Sequence, residues 1–191
     1  MHRDSIDIIA KTPEDRMLLA KLWDKVNGGI RKHIVGQTGF LSPRELEMAG
    51  FLFGDAPGLY AFGGYADAER KMLVYLPDYL EKDYLLSEDS PVVCLEGSFF
   101  QGDALSHRDI LGALMGAGIA RETIGDICVG SGSADFFVTA EIAPYLLQSF
   151  SSAGRTALHL KQVCLSSVQI QEPETKELRD TLASLRLASV I

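Results

Sequence analysis

The chain has 191 residues, of which 47% are hydrophobic and 23% charged, a composition typical of soluble globular proteins. Its longest uncharged apolar run, residues 110–120, is too short to cross a bilayer, and its net charge of −8 disfavours a generic binder of polyanions. Three cysteines at wide spacing favour reduced thiols and a cytoplasmic location over a disulfide framework.

The negative charge is concentrated in one part of the chain. Residues 36–100 carry 4 basic and 11 acidic side chains, whereas residues 1–35 carry 7 basic and 5 acidic ones. The acids are densest between Asp78 and Asp89. A local basic site elsewhere is therefore compatible with the acidic total.

Two helices are predicted in the N-terminal part, and each has a clear start signal. Thr12-Pro13-Glu14-Asp15 combines a hydroxyl cap, a proline at the first helical position and acids at the positive helix end. Ser42-Pro43-Arg44-Glu45 is a capping box, which predicts a shorter helix to about Phe53. Two strands are predicted at residues 59–65 and 72–76. We therefore expect residues 1–80 to form helices and a β-hairpin.

A second unit is predicted after an exposed loop over residues 77–91, which holds the acidic cluster. The pattern that follows predicts four strands and two helices, with Gly154 as the C-terminal cap of the second helix. The strands are expected at residues 92–99, 126–129, 135–139 and 156–165, and the helices at residues 106–116 and 141–153.

This order of elements, β-α-β-β-α-β, is the ferredoxin-like motif of single-sheet RNA-recognition domains. We therefore expect an α+β protein with a ferredoxin-like domain over residues 85–165. Residues 166–191 are expected to form a linker and the truncated start of a further module. Because this topology serves many unrelated functions, it does not identify one.

Phe136 and Phe137 are neighbours on a predicted strand, so their side chains point to opposite faces of the sheet. One ring must enter the core, and the other either stacks on a base or packs under a loop. The basic residue and alternating aromatic residues of RNA-recognition motifs are missing around these positions. Base stacking on the sheet face is therefore disfavoured.

The most informative short motif is Ser106-His107-Arg108-Asp109. Ser106 and Asp109 form a capping-box pattern, so the simplest role of Asp109 is a helix cap. His107 and Arg108 place basic groups in the first turn, where the helix dipole disfavours positive charge. A bound phosphate would relieve that conflict, although Arg108 could also be a solvated surface arginine.

Other basic residues and glycines also have two interpretations. Arg121 follows the helix near one end of the sheet and either contacts phosphate or forms a weak surface pair with a nearby acid. Arg155 follows Gly154, where a cation is favourable because it lies near a helix C-terminus. Gly112 and Gly116 are expected to allow close packing of their helix on the sheet.

The signals for an enzyme are weak. The glycines at residues 130 and 132 precede a strand rather than a helix, so they lack the helix N-terminus of a dinucleotide fingerprint. A hydrolase built on His107 and Asp109 is the least favoured alternative, because no metal-ligand spacing or nucleophile motif supports it. We expect no catalytic activity, no cofactor and no metal.

Several motifs in fixed order over residues 40–165 resemble YlmH-type bacterial RNA-binding proteins. They are Phe40-Leu-Ser-Pro-Arg44-Glu45, Gly63-Gly-Tyr65-x-x-Ala68-Glu69-Arg70-Lys71, Ser106-His-Arg-Asp109-x-Leu111-Gly112, Gly118-Ile-x-Arg121-Glu-x-Ile-Gly125-Asp126-Ile127 and Glu141-Ile-Ala-x-Tyr145.

The resemblance implies a helical N-terminal part, an RNA-binding domain similar to an RNA-recognition fold, and a C-terminal module of the ribosomal-protein S-four type. Ser184-Leu185-Arg186-Leu187-Ala188 is similar to the start of that module, and Ala188 replaces its usual acid. The sequence ends three residues later, so we expect nearly all of the module to lie outside it. The family implies binding to ribosomal RNA or peptidyl-tRNA on the large subunit during ribosome rescue, with an older association with cell division.

The main hypothesis is a cytoplasmic, non-catalytic RNA-binding protein that has no membrane partner and contacts RNA phosphates through clustered basic residues. The candidate RNA-binding residues are Arg44, Arg70, Lys71, His107, Arg108, Arg121 and Arg155. The alternative is a protein-interaction module that docks on a ribosomal or cell-division protein. Such a module would use the acidic loop at residues 78–89 or the Gly63-Gly-Tyr65 hairpin.

Overall fold

The computed structural model describes residues 3–28, 34–54, 56–64 and 71–169 of the chain. The α-helices in these ranges are α1 (Ser5–Ile9), α2 (Pro13–Asn27), α3 (Pro43–Phe53), α4 (Lys82–Leu85), α5 (His107–Gly116) and α6 (Ala143–Ser149). The strands are β1 (Gly36–Leu41), β2 (Leu59–Gly64), β3 (Lys71–Tyr75), β4 (Val92–Ser98), β5 (Ile124–Val129), β6 (Ser133–Thr139), β7 (Ser152–Ala153), β8 (Thr156–Ala157), β9 (His159–Val163) and β10 (Leu165–Val168). The predicted α+β class is confirmed.

The starts of α2 and α3 follow directly from local sequence. The Thr12 hydroxyl accepts a hydrogen bond from the Asp15 amide at 3.1 Å, and the Asp15 carboxylate accepts one from the Thr12 amide at 3.2 Å. Ser42 and Glu45 form the same reciprocal pair at the start of α3. Each box satisfies amide groups that have no partner inside the helix, which fixes where the helix begins.

Two four-stranded antiparallel sheets form the centre of the fold. The first sheet has the strand order β1-β3-β2-β10, and the second has the order β5-β6-β4-β9. The first three strands of the first sheet come from the N-terminal part of the chain. Its fourth strand, β10, follows the last strand of the second sheet almost immediately and pairs with β2.

The two sheets pack face to face, and helices cover their outer faces. Along β2 and β3, Ala61 and Leu73 face a core shared with α1, α2 and α3, whereas Phe62 and Met72 face the second sheet. The outer face of the second sheet packs against α5 and α6 in a third core. Alternating side chains on each strand therefore serve two different cores, as expected for strands buried on both faces.

Phe136 and Phe137 are both completely buried. Phe136 lies in the core beneath α5 and α6, and Phe137 lies between the two sheets with Phe62 and Met72. The face of the second sheet that single-sheet RNA-recognition domains use for base stacking is thus occupied by the first sheet. Base stacking by Phe137, which the sequence already disfavoured, is excluded in this conformation.

The two sheets also meet along their edge strands, β1 and β5. The Asp126 amide donates to the Val35 carbonyl at 3.0 Å, and the buried Gln37 side chain donates to the carbonyls of Asp126 at 3.2 Å and Asp135 at 2.8 Å. Gly125 is needed at this contact, because a Cβ there would lie 2.8 Å from the Val35 oxygen and 2.9 Å from Phe137 Cβ. This junction fixes β1 against β5.

The acidic segment at residues 77–91 is not the fully exposed loop that was expected. It contains the one-turn helix α4, and Leu80 and Leu85 are buried in the core between the sheets. Leu76 and Val92 at its two ends belong to the same core. The acidic side chains Asp78, Glu81, Asp83, Glu88 and Asp89 remain exposed on the outside of the anchored segment.

The segment after β6 also differs from the prediction. The expected helix over residues 141–153 is only seven residues long, because Phe150 adopts extended backbone and buries its ring beside Leu146. Gly154 does not cap the helix: with a φ of 62° it forms the tight turn between β7 and β8. The expected strand at residues 156–165 is divided into β8 and β9, and β10 then extends to Val168.

No helix in the described part of the chain is both long and apolar enough to cross a membrane. The division into segments 1–80, 85–165 and 166–191 stays a prediction.

We predict that Phe137→Ala lowers the free energy of unfolding by about 3–5 kcal/mol, because it removes a large ring from between the two sheets. Phe100→Ala is the matched control, since Phe100 is 77% exposed and its truncation should cost about 0.5 kcal/mol or less. Urea denaturation of both variants measures the difference. Equal stability of the two variants would contradict the face-to-face packing of the sheets.

Candidate nucleic-acid interface

A cleft of about 630 Å³ opens where the two sheets meet α2 and the start of α5. One wall comes from α2 and the other from the edge strands β1 and β5. The lining combines basic side chains (Lys21, Lys25 and His107), apolar side chains (Leu18, Leu22, Phe40, Leu105, Ile127 and Val129) and two carboxylates (Asp126 and Asp135). The cleft therefore brings basic side chains from α2 and from the start of α5 to one concave surface.

Lys25 links α2 to β5, the two elements that face each other across one side of this cleft. Its Nζ lies 2.7 Å from Asp126 Oδ2 and 3.5 Å from Cys128 Sγ. Burial alone would lower the pKa of Lys25, but its interactions with Cys128 and the Asp126 carboxylate raise it above its usual value. Lys25 is therefore a protonated structural link between α2 and β5, and Lys21, one turn earlier and exposed, is the lysine that can meet a ligand.

The start of α5 forms the predicted capping box at the edge of the cleft. The Asp109 carboxylate accepts from the Ser106 amide at 2.8 Å and from the Ser106 hydroxyl at 2.6 Å. These hydrogen bonds hold the pKa of Asp109 below its usual value. Because Asp109 already supplies a negative charge to this first turn, the positive charges of His107 and Arg108 do not require a bound anion to be tolerated.

The same capping box engages Asp109, one of the two residues of the alternative hydrolase site. Asp109 is committed to Ser106, and the part of the chain that the structure covers holds no group of three or more His, Cys, Asp or Glu side chains suited to a metal ion. His107 and Arg108 are both exposed beside the cap, and His107 lines the cleft. These two residues are therefore accessible to a ligand.

Arg44 and Arg121 are tied to nearby protein groups. Arg44 lies 2.7 Å from the carboxylate of Asp15, which is buried at the start of α2. Burial would raise the pKa of Asp15, but hydrogen bonds from Arg44 and the Lys11 amide lower it below its usual value. The Arg121 guanidinium donates to the Ile124 carbonyl at 2.6 Å. Both arginines thus have a structural role in linking elements of the fold.

The predicted RNA-binding residues do not form a single cluster within the described ranges. Arg108 lies in the first turn of α5 and Arg121 beyond its last turn, and ten helical residues rise about 15 Å. Lys71 begins β3 in the first sheet, and Arg155 is exposed in the β7–β8 turn. Arg70 lies outside the residues that the structure describes.

Gly112 and Gly116 do not pack against the sheet as expected. A Cβ at either position would meet no atom of the described residues within 4 Å, and both glycines are exposed on α5. The helix is instead held on the sheet by Ile110 and Leu114, which are completely buried. The outer surface of α5 is consequently flat and accessible next to Arg108.

Comparisons with known proteins show what this chain is similar to. Residues 99–167 match the family described as "Putative RNA-binding domain in YlmH". The chain is 35% identical over 157 residues to "Ribosome-associated protein quality control protein P2" of Bacillus subtilis, which covers 80% of this chain and 59% of that protein. These matches confirm the resemblance to YlmH-type proteins.

The chain spans just over half the length of that Bacillus relative. Among solved structures, "Cell division protein ylmH from Streptococcus pneumoniae" aligns over 80% of this chain and 93% of its own chain. The sequence identity of that alignment is 21% and the TM-score is 0.34.

The segment that matches the YlmH family model begins directly after β4 and ends within β10. It contains His107, Arg108, Arg121 and Arg155, whereas the lysines of the cleft come from α2, outside the matched segment. The cleft is therefore lined both by the segment that matches this family model and by an N-terminal helix outside it. Sequence reasoning missed Lys21 and Lys25, although their spacing of four on a predicted helix places them on one face.

We predict that Ser106→Ala raises the pKa of Asp109 toward its usual value and lowers the free energy of unfolding at pH 7 by about 1 kcal/mol, because the capping box is lost. A carboxylate with a depressed pKa stabilises the fold above its unfolded pKa, and this stabilisation disappears as the pH falls through the folded value. The stability difference between wild type and variant should accordingly shrink below about pH 4. Ser106→Thr, which keeps a hydroxyl cap, is the control.

NMR titration of the Asp109 carboxyl and urea denaturation between pH 3 and pH 7 measure the two effects. An unchanged Asp109 pKa in Ser106→Ala would show that the capping box does not hold this carboxylate.

Proposed function

We propose that this chain is a non-catalytic, cytoplasmic RNA-binding part of a ribosome-associated protein. Two comparisons support this function: the YlmH RNA-binding family matches residues 99–167, and the 35% identical relative is named as a ribosome-associated quality control protein. By the same resemblance, we propose that its RNA is ribosomal RNA or peptidyl-tRNA on the large subunit. The domain that carries the function is then residues 85–165, between the segments 1–80 and 166–191.

We also propose that this domain is ferredoxin-like. The observed strand order β5-β6-β4-β9 with α5 and α6 on one face supports this topology. The RNA surface must differ from that of a single-sheet RNA-recognition domain, because the opposite face is covered by the first sheet. Recognition through phosphate contacts at the edge of the domain is the mode that this packing leaves open.

The observation that carries the proposal is the juxtaposition of basic groups from two parts of the chain at the cleft. Lys21 from α2 and His107 from α5 line the same cleft, and Arg108 is exposed next to His107. The sequence predicted His107 and Arg108 as contacts, and Lys21 joins them here. The other predicted basic residues remain proposed secondary contacts: Lys71, Arg70, Arg155, Arg121 and Arg44. Of these, Arg44 and Arg121 have structural roles as well.

The acidic character of the chain limits how many phosphates it can neutralise. With a net charge of −8, only a few local contacts are expected, so the salt dependence of binding should be shallow compared with that of strongly basic RNA-binding proteins. A shallow dependence is a quantitative property of this proposal.

We predict that Lys21→Ala/Arg108→Ala weakens binding to ribosomes and ribosomal RNA by about tenfold or more at low salt. The slope of log K against log salt should fall by about 1 to 2, because up to two phosphate contacts are removed. Ribosome co-sedimentation and filter binding between 50 and 300 mM salt measure both quantities.

The matched control is the double variant Lys21→Ala/Arg16→Ala. The single variants Arg108→Ala and Arg16→Ala are measured beside it. Arg16 carries the same charge on the same helix but pairs with Asp7 at 3.3 Å and does not line the cleft. If Arg16→Ala reduces affinity and salt slope as much as Arg108→Ala does, only net charge matters and the localised RNA surface is refuted.

A second candidate function is docking on a protein partner through the acidic segment. Leu80 and Leu85 anchor this segment in the core, while its acids and the rings of Tyr79 and Tyr84 are exposed. An anchored surface of acids and tyrosines suits a basic protein partner such as a ribosomal protein. The Gly63-Gly-Tyr65 hairpin is less suited, since Gly63 is paired on both sides within the first sheet.

The triple variant Asp78→Asn/Glu81→Gln/Asp83→Asn distinguishes the two functions. If RNA contacts dominate, removing these acids should leave ribosome binding unchanged or slightly stronger, because repulsion from RNA is reduced. If a basic protein is the partner, co-sedimentation should fall by about tenfold. Glu14→Gln on the exposed start of α2 controls for the general change in charge.

A further inference from the structure

We infer that the cleft between α2, β1, β5 and the start of α5 accepts a single unstacked ribonucleotide, so that the protein selects single-stranded over duplex RNA. This inference rests on the proposed RNA-binding function and assigns a ligand class to its central cleft. Its first support is size: about 630 Å³ falls within the roughly 300–1,000 Å³ of sites that enclose small ligands.

The distribution of chemistry along the cleft fits the two halves of a nucleotide. Leu18 and Leu105, both half-buried, provide apolar surface against which a planar base can pack. Lys21 and His107 provide basic groups for a phosphate, and Lys21 is exposed at the opening. An apolar ligand alone would not use these basic groups, and an inorganic anion alone would not use the apolar wall.

The carboxylates do not prevent an anion from binding. Asp126 is compensated by Lys25 at 2.7 Å, and its Oδ2 also accepts from the Gln37 amide at 3.2 Å. Asp135 also lines the cleft but is only 4% exposed, so its carboxylate presents little surface to a ligand. The basic groups that remain available to a ligand are therefore those on the outer side of the cleft.

The walls also contain the backbone of the two edge strands, β1 and β5. Some of these groups bond across the junction of the sheets, where the Asp126 amide donates to the Val35 carbonyl and the Gln37 side chain donates to the Asp126 carbonyl. Each strand also has a register irregularity beside the cleft, between Gln37 and Phe40 and between Ile124 and Ile127. Such bulges redirect backbone groups and are frequent next to binding sites.

Selection of single strands follows from geometry. The bases of an A-form duplex are stacked and paired, and its major groove is too deep and narrow for side chains to read. A cleft that holds one base can be filled only by a nucleotide that has left the stack. The closed inner face of the second sheet removes the alternative of stacking several bases side by side on that sheet.

Cys128 provides a direct measurement of occupancy, because it lines the cleft. Cys164 is exposed and is replaced in a Cys164→Ser background, while Cys94 is buried and burial raises its thiol pKa well above the usual value. Burial also raises the pKa of the Cys128 thiol, which is only half-buried, so the alkylation rate of Cys128 without any probe is measured first as the reference. In this full chain, the rate at which iodoacetamide alkylates Cys128 at pH 8.5 reports whether the cleft is filled. The probes are a single-stranded RNA hexamer, a blunt RNA duplex of the same composition, adenosine monophosphate, adenosine and inorganic phosphate.

The expected result is that the hexamer slows alkylation of Cys128 at least fivefold and that millimolar adenosine monophosphate does so more weakly. The duplex and inorganic phosphate should leave the rate unchanged. Lys21→Ala should remove most of the protection, whereas Arg16→Ala on the same helix should keep it. Protection by adenosine equal to that by the monophosphate would overturn the assignment of a phosphate-binding rim.

Equal protection by duplex and hexamer, or no protection by any probe, would overturn the inference. If either of these results is obtained and the protein still co-sediments with ribosomes, the cleft assignment fails while the proposed function stands. If ribosome and RNA binding are both absent but adenosine monophosphate protects Cys128, the cleft binds a free nucleotide and the proposed RNA function fails instead.

Discussion

The contact between the two sheets is the constraint on which the rest of the molecule depends. Phe137, Phe62 and Met72 are completely buried between the sheets, so the second sheet has no free face. Burial of aromatic and aliphatic side chains on this scale is a dominant stabilising term, and opening the sheets would expose all of it to water. Any ligand must therefore bind at the edges of the sheets, at the helices or at the loops.

This constraint explains why the cleft is formed by distant parts of the chain. Since the sheets meet along β1 and β5, the junction leaves a cleft at the edge that only α2 and the start of α5 can line. The ion pair of Lys25 with Asp126 spans 101 positions of sequence and fixes α2 at that junction. Basic side chains lie at this cleft although the chain as a whole is acidic, because Lys25 is paired with Asp126 and Lys21 is exposed to solvent.

The parts of the fold that depend on local chemistry could be predicted from sequence. The caps Thr12, Ser42 and Ser106 each act within three residues, and all three helices begin where predicted. The end of α6 could not be predicted, because it depends on the burial of Phe150 in a core formed by residues that are distant in sequence. The sequence around Gly154 is typical of a helix cap and of a tight turn alike, and tertiary packing selects the turn.

The candidate site was predicted only in part for the same reason. His107 and Arg108 have a local signal, a basic pair beside a capping box, and both are exposed at the cleft or next to it. Lys21 and Lys25 have a local signal for a shared helix face but none for what that face meets. The interpretation of Phe137 likewise depended on the covering element, and strand alternation does not say whether a face meets water, RNA or a second sheet.

The path of the chain makes the two sheets one structural unit. β10 leaves the second sheet directly after β9 and becomes the fourth strand of the first sheet, where it pairs with β2. The YlmH-matched segment at residues 99–167 contains neither β4, which joins β6 to β9, nor β2 and β3, which place Phe62 and Met72 in the same core as Phe137. On its own that segment would have a divided sheet with an exposed apolar face, so the N-terminal part is required to complete the fold of the matched segment.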